Sequence, residues 1–216
     1  MKGISNISKV SILIPVYNRV HLISETIDSA LNQTYPEIEV IVVDNCSTDG
    51  TWEILEQYLK KDKRVNAFRN TANIGPVKNW KACVEKATGE YGKILWSDDL
   101  IAPNFVEKTL PYMFEKNIGF AFTRVEIFDD VKRFDSYSIG DTGIYDSVNF
   151  IKGSLLGVGY PVSPGSAIFR LQDLEANLLV DIPNKLHLDF SSNAIGNDLL
   201  IYLITATQYP KFAFVN

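Results

Sequence analysis

Apolar and polar positions fall into alternating blocks over the first hundred residues. The run from Val10 to Val16 is almost continuously apolar and rich in β-branched side chains, as in a strand buried on both faces. From His21 to Asn32 the apolar residues Leu22, Ile23, Ile27, Ala30 and Leu31 recur at helical spacing, until Tyr35 and Pro36 break the pattern. A second buried strand is predicted from Glu39 to Asp44. A helix follows from Thr51 to Lys60, with Trp52, Leu55 and Leu59 on one stripe. Val65 to Phe68 reads as a third strand. Val77 to Ala87 reads as a third helix that turns Trp80, Val84 and Ala87 inward and ends at Gly89. The fourth strand, Tyr91 to Trp96, runs into Ser97, Asp98 and Asp99. Repeated strand and helix predict an α/β fold with a mostly parallel central sheet covered by helices on both faces.

Beyond residue 100 the alternation weakens. A helix is predicted from Phe105 to Lys116, and one or two strands between Ile118 and Phe128. The stretch from Asp129 to Pro164 reads as loops, because glycines recur at 140, 143, 153, 157 and 159. A short strand from Ser166 to Arg170 and a helix from Asp198 to Thr207 precede a strand-like ending at Phe212 to Asn216. No repeat or linker interrupts the chain, so residues 1–216 are expected to form a single domain. The strand-like ending suggests the front part of a longer protein, truncated on the acceptor side.

Composition narrows the partners. The 216 residues are 46% hydrophobic with a net charge of −5, so a sizeable core is available. No global basic field exists to hold nucleic acid. Cys46 and Cys83 are far apart, and the histidines are only His21 and His187, which argues against a zinc cluster or a disulfide scaffold. Neither a signal peptide nor a transmembrane segment is evident. A soluble cytoplasmic domain is expected.

In open parallel sheets, ligands sit beyond the carboxyl ends of the strands. Those ends here carry Pro15, Tyr17, Asn18 and Arg19, then Asp44 and Asn45, then Asn73 to Gly75, then Asp98 and Asp99. An acid or amide at such an end can pair with a base or ribose, and paired carboxylates can hold a hard cation. No glycine fingerprint follows the first strand, which excludes a dinucleotide site of the G-x-G-x-x-G kind, and no Walker A sequence is present.

Six segments occur in order: VSILIPVYN at 10–18, NQTYP at 32–36, VDNCSTDG at 43–50, NIG at 73–75, ATGEY at 87–91 and SDD at 97–99. Together they resemble glycosyltransferase family two, inverting enzymes of the GT-A fold. The resemblance is dense over residues 8–105, the nucleotide-sugar-binding half, and thin over the acceptor-side half, 106–216.

The resemblance implies a sugar transferred with inversion from a nucleoside-diphosphate sugar to a saccharide or lipid-linked saccharide acceptor. It implies Mn²⁺ or Mg²⁺ as cofactor. Its usual setting is polysaccharide synthesis at the inner face of a membrane, with peripheral association. Pro15, Tyr17, Asn18 and Gly75 match the nucleotide-lining loops, with the Tyr17 ring as a face for the base. Asp44 and Asn45 match an acidic pair that reads base and ribose, with an amide in place of the second acid. Lys78 stands where many members have an arginine. Asp98 and Asp99 match the metal motif, but Trp96 replaces a further acid. Neighbouring strand residues point to opposite faces, so Asp99 is expected as the direct ligand and Asp98 toward ribose or a bound water. GNDLL at 196–200 resembles the segment that opens a helix with the catalytic acid, making Asp198 the candidate base.

Plainer readings stand beside these. Asp98 and Asp99 could cap the following helix, Asp198 could be a helix-start charge, and Lys78 a solvated one. Trp52, Trp80 and Trp96 read as core; the histidines read as surface groups. The rival functions are an inactive sugar-nucleotide-binding module, a nucleotidyltransferase and a scaffold. The position of Asp198 relative to Asp98 and Asp99 separates the enzyme from the inactive module.

Overall fold

Strand β1 (Val10–Val16) is buried along its whole length and sends alternate side chains to opposite faces. Ile12, Ile14 and Val16 enter one core while Leu13 enters the other, as a period of two requires. The structure is a computed structural model, describing residues 7–129, 131–185, 188–192, 194 and 196–216. His187 lies outside these residues; His21 is exposed.

Helices α1 (Ile23–Leu31), α2 (Thr51–Lys61) and α4 (Phe105–Met113) cover the first face. Helices α3 (Pro76–Lys86), α5 (Ser147–Leu156), α6 (Leu171–Asn177) and α7 (Asn197–Gln208) cover the second. The remaining strands of the main sheet are β2 (Ile38–Asp44), β3 (Val65–Arg69), β4 (Tyr91–Ile94), β5 (Ile118–Thr123), β8 (Gly143–Asp146), β9 (Ala167–Arg170) and β10 (Lys211–Val215). Their order is β3-β2-β1-β4-β9-β5-β10-β8. All run in one direction except β9 and β8, so the sheet is mostly parallel. A separate hairpin pairs β6 (Val125–Phe128) with β7 (Arg133–Ser136).

The chain leaves β1 toward β2 and β3, then returns to place β4 on the other side of β1. This reversal opens a crevice at the carboxyl ends of β1 and β4, where open α/β sheets take their ligands. Pro15, buried in β1, has no N–H to extend the ladder past the last pair with β4, Leu13 with Ile94. The strands can therefore separate at that point.

Several expectations are corrected. Strand β4 stops at Ile94, and the chain then turns, with the Asp99 amide donating to the Trp96 carbonyl at 3.0 Å. Leu55 and Tyr58 form the buried stripe of α2, while Leu59 is exposed. Trp52, Trp80 and Trp96 are half-buried against the two cores. Helix α3 ends at Lys86, so Gly89 is not its cap. A Cβ at Gly89 would lie 2.7 Å from the Lys9 carbonyl oxygen and the Ser11 hydroxyl; this glycine is required by close approach to β1. The stretch expected as loops contains β7, β8 and α5. Gly153, inside α5, leaves room for the Tyr160 ring rather than breaking the helix.

Candidate functional site

Two loops meet at the ends of β1 and β2. Asn18 holds φ +51, a conformation asparagine tolerates better than most residues. Its amide donates to the Ser47 hydroxyl at 2.9 Å, and its side-chain oxygen accepts from the Thr48 amide at 2.9 Å. Tyr17, just before it at the carboxyl end of β1, is 41% exposed.

Asp44 is fully buried. Its carboxylate accepts from the Ser47 amide at 3.1 Å and from the Ser47 hydroxyl, and pairs with Arg69 Nε at 3.1 Å. Asn45 donates to Asn73 Oδ1 at 2.9 Å and the Gly75 carbonyl at 3.3 Å. It accepts from the Ile74 amide at 2.9 Å and Asn70 at 3.1 Å. A carboxylate could accept but not donate, so this four-way pin needs an amide. That accounts for asparagine where the resemblance leads one to expect an acid. Both side chains bind protein groups and shape the crevice from within. Gly75 has φ +84, and a Cβ there would stand 3.3 Å from the Ser191 carbonyl oxygen. Lys78 is exposed on α3. Hydrogen bonds from Ser191, chiefly, and the charge of Lys78 hold Asp189 below the usual carboxylate range.

On the far side of the crevice, Asp98 and Asp99 line a cleft of about 480 Å³. Arg19 Nη2 reaches Asp98 Oδ2 at 3.3 Å, bridging the end of β1 to the turn after β4. Because the chain has already turned, alternation no longer keeps the two carboxylates apart; Arg19 draws Asp98 toward β1 instead. Asp99 opens onto the cleft, and desolvation by its walls raises its pKa. Lys93 opposes that shift and Asp98 reinforces it.

Lys93 is buried beneath this turn and also lines the cleft. It donates to the Ile94 carbonyl at 2.8 Å and to the Gly165 carbonyl, and lies 5.0 Å from the Phe105 ring centre. Burial pushes its pKa down to about 7, against the pull of Asp99. Trp96 Nε1 donates to the Ser163 hydroxyl at 2.8 Å, which holds the Ser163–Ser166 wall of the cleft in place.

Asp198 lies in the first turn of α7, whose cap position is Gly196. Its Oδ1 accepts from the Leu199 amide at 2.8 Å. Burial raises its pKa, with the Leu199 amide and its own amide working the other way. One helical turn later, the Tyr202 hydroxyl meets the Ser166 hydroxyl at 3.0 Å and donates to the Ser163 carbonyl at 3.3 Å. Residues four apart share a helix face, so Asp198 stands on the face that meets the cleft wall. Tyr137, on that wall, lies in the fields of both Asp198 and Asp99. Tyr137 thus links the Asp99 cleft to the start of α7, although Asp198 is not itself among the lining residues.

Among the described residues no group of three or more His, Cys, Asp or Glu could hold a metal. Two adjacent carboxylates on an open turn nevertheless suit Mg²⁺ or Mn²⁺, which commonly take one or two carboxylates and fill their shell with phosphate oxygens and water. The residues present fit such an ion.

Lys93 and Tyr137 escaped the sequence reading, and Arg19 stood there at a strand end without an assigned role. A lysine inside the apolar run from Tyr91 to Trp96 was the available signal, since burying an ammonium without a purpose is costly. Arg19 and Tyr137 become meaningful only through contacts between distant segments.

A family model described as Glycosyl transferase family 2 matches residues 11–175. The chain is 40% identical over 114 residues to the putative teichuronic acid biosynthesis glycosyltransferase TuaG of Bacillus subtilis, a match covering 53% of this chain and 45% of that protein. It thus spans less than half the length of this curated relative. Among solved structures, S. aureus TarS in complex with UDP-GlcNAc superposes with a TM-score of 0.74 at 24% identity, covering 96% of this chain and 56% of that one. The mannosyltransferase PcManGT of Pyrobaculum calidifontis, in complex with GDP-Man and Mn²⁺, gives 0.65 at 20% identity, covering 97% and 54%. The fold is GT-A, as expected.

Proposed function

The chain belongs to glycosyltransferase family 2, and on that footing we propose that it transfers a sugar from a nucleoside-diphosphate sugar to an acceptor hydroxyl with inversion. One observation supports the reading: Asp98 and Asp99 line a cleft at the end of β4, and Tyr137 of that lining lies in the fields of both Asp99 and Asp198. An inactive binding module would have no need of the second acid there.

Tyr17 offers a ring to the base, while Asn18, Asp44, Asn45 and Gly75 hold the loops that enclose the nucleoside, with Lys78 at the rim. Asp98 and Asp99 would hold Mg²⁺ or Mn²⁺, which would stabilise charge on the departing diphosphate. Asp198 accepts the proton of the acceptor hydroxyl. The acceptor oxygen forms its bond to the anomeric carbon as the bond to the diphosphate oxygen breaks, and the electron pair leaves with the nucleoside diphosphate. Attack opposite the leaving group inverts that carbon. A carboxyl with a raised pKa is a better proton acceptor than an ordinary one.

The likeness to TuaG supports a saccharide or lipid-linked saccharide acceptor in envelope polysaccharide synthesis. Free Cys46 and Cys83 suit a reducing, cytoplasmic location. No helix among the described residues is long and apolar enough to cross a membrane. Residues 8–105 are read as the donor half and residues 106–216 as the acceptor half of one domain.

Calorimetric titration with UDP and GDP, with and without Mn²⁺, tests the reading. Binding of one nucleotide should strengthen with Mn²⁺, and Asp99→Ala should abolish that gain without changing the fold. Unaltered Mn²⁺-dependent affinity in the variant would remove Asp99 from the metal site.

A further inference from the structure

Tyr137 follows the β6–β7 hairpin and holds φ +60. A bulky residue enters that region only at a cost, and such strain concentrates at functional sites. Its ring is half-buried against the aromatic core, and it lines the cleft together with Asp98 and Asp99. The Val162 amide acts on its phenolic oxygen against the desolvation that raises its pKa. No described residue accepts the phenolic proton, so it remains free to donate into the cleft.

The location distinguishes this wall from the nucleotide side. Tyr17, Asn18, Asp44, Asn45, Gly75 and Lys78 are all absent from the cleft lining. The lining runs instead through the turn at 98–102, the β6 strand and the Ser163–Ser166 wall. This is the volume beyond the diphosphate, where sugar and acceptor would meet. Within it, Tyr137 lies in the fields of both Asp99, which shares the lining, and Asp198, at the start of α7.

We propose that Tyr137 is an acceptor-binding residue, whose phenolic O–H donates a hydrogen bond to an oxygen of the acceptor saccharide and holds the attacking hydroxyl within reach of Asp198. The inference rests on the glycosyl-transfer reading above and adds a group to its acceptor side. The strained backbone is then the cost of aiming a tyrosine from a hairpin end into the cavity.

The test is Tyr137→Phe, which keeps the ring and its packing but removes the donor. UDP affinity, melting temperature, hydrolysis of UDP-GlcNAc by water, and transfer to a panel of p-nitrophenyl pyranosides would be measured. Loss of one substrate hydrogen bond should lower kcat/KM for transfer about tenfold, mainly through the acceptor KM. UDP affinity and hydrolysis should match wild type. The ratio of transfer to hydrolysis is taken on the same folded molecules, so a stability change does not disturb it. A wild-type ratio over the panel no higher than that of Tyr137→Phe overturns the proposal, as does an equal fall in both reactions, which would place the hydroxyl on the donor sugar. Failure of the parent reading looks different: wild-type protein would bind neither UDP nor GDP.

Discussion

At the scale of single residues, Asp198 has the clearest consequences. Burial raises its pKa above the ordinary 3.8, so between that value and the folded one the native state binds more proton than the unfolded chain. Stability then falls as pH rises through this window, and the deficit persists at neutral pH. Asp198→Asn removes the charge but keeps an oxygen for the Leu199 amide. The variant should melt no lower than wild type at pH 7, and any advantage should vanish below pH 3.8. Loss of a general base should cut turnover by about 10²–10⁴-fold. Thermal melts at both pH values and initial rates check this; retained turnover with a lowered melting temperature would make Asp198 a helix-start group only. Asn45 carries the complementary lesson. Its amide can be explained without any ligand, by four hydrogen bonds that a carboxylate could not complete.

At the scale of elements, close approach decides more than local propensity. Gly89 precedes β4 where the backbone of Lys9 and Ser11 lies against it. Gly89→Ala would push its methyl into backbone atoms that cannot rotate away, and overpacking of this kind costs about 1–3 kcal/mol. Chemical denaturation should show that loss, whereas an unchanged midpoint would mean the start of β1 can shift. The loop pins work in the same way. Asn18 ties the exit of β1 to that of β2, and Asn45 ties β2 to the loop before α3, so the crevice is shaped before any ligand arrives. Arg19 extends this bracing across the switch point to Asp98.

At the scale of the molecule, an aromatic core ties together the elements of the second half. Phe120 on β5 lies 4.9 Å from the Phe150 ring, 5.0 Å from Tyr202, 5.5 Å from Phe212 and 5.6 Å from Phe169, so one side chain joins α5, α7, β10 and β9. Phe120→Ala should cost about 3–5 kcal/mol. If the two halves unfold as one unit, tryptophan fluorescence, which reports residues 52, 80 and 96, should shift with far-ultraviolet circular dichroism. Separate midpoints would divide the chain into two cooperative units. The alternating pattern up to Asp99 was enough, by itself, to establish four strands, three helices, a parallel arrangement and the strand ends where ligands gather, because periodicity and turn chemistry are local properties. The later half was harder to read: α5 carries Gly153 in its interior, and β9 runs antiparallel between β4 and β5, a placement no local pattern encodes. Only tertiary structure decided that Lys93 lies beneath the turn, and that Tyr137 of the Asp99 cleft lies in the field of Asp198 as well. Those relations join residues tens of positions apart, and they exist only once packing of the two cores has brought the segments together.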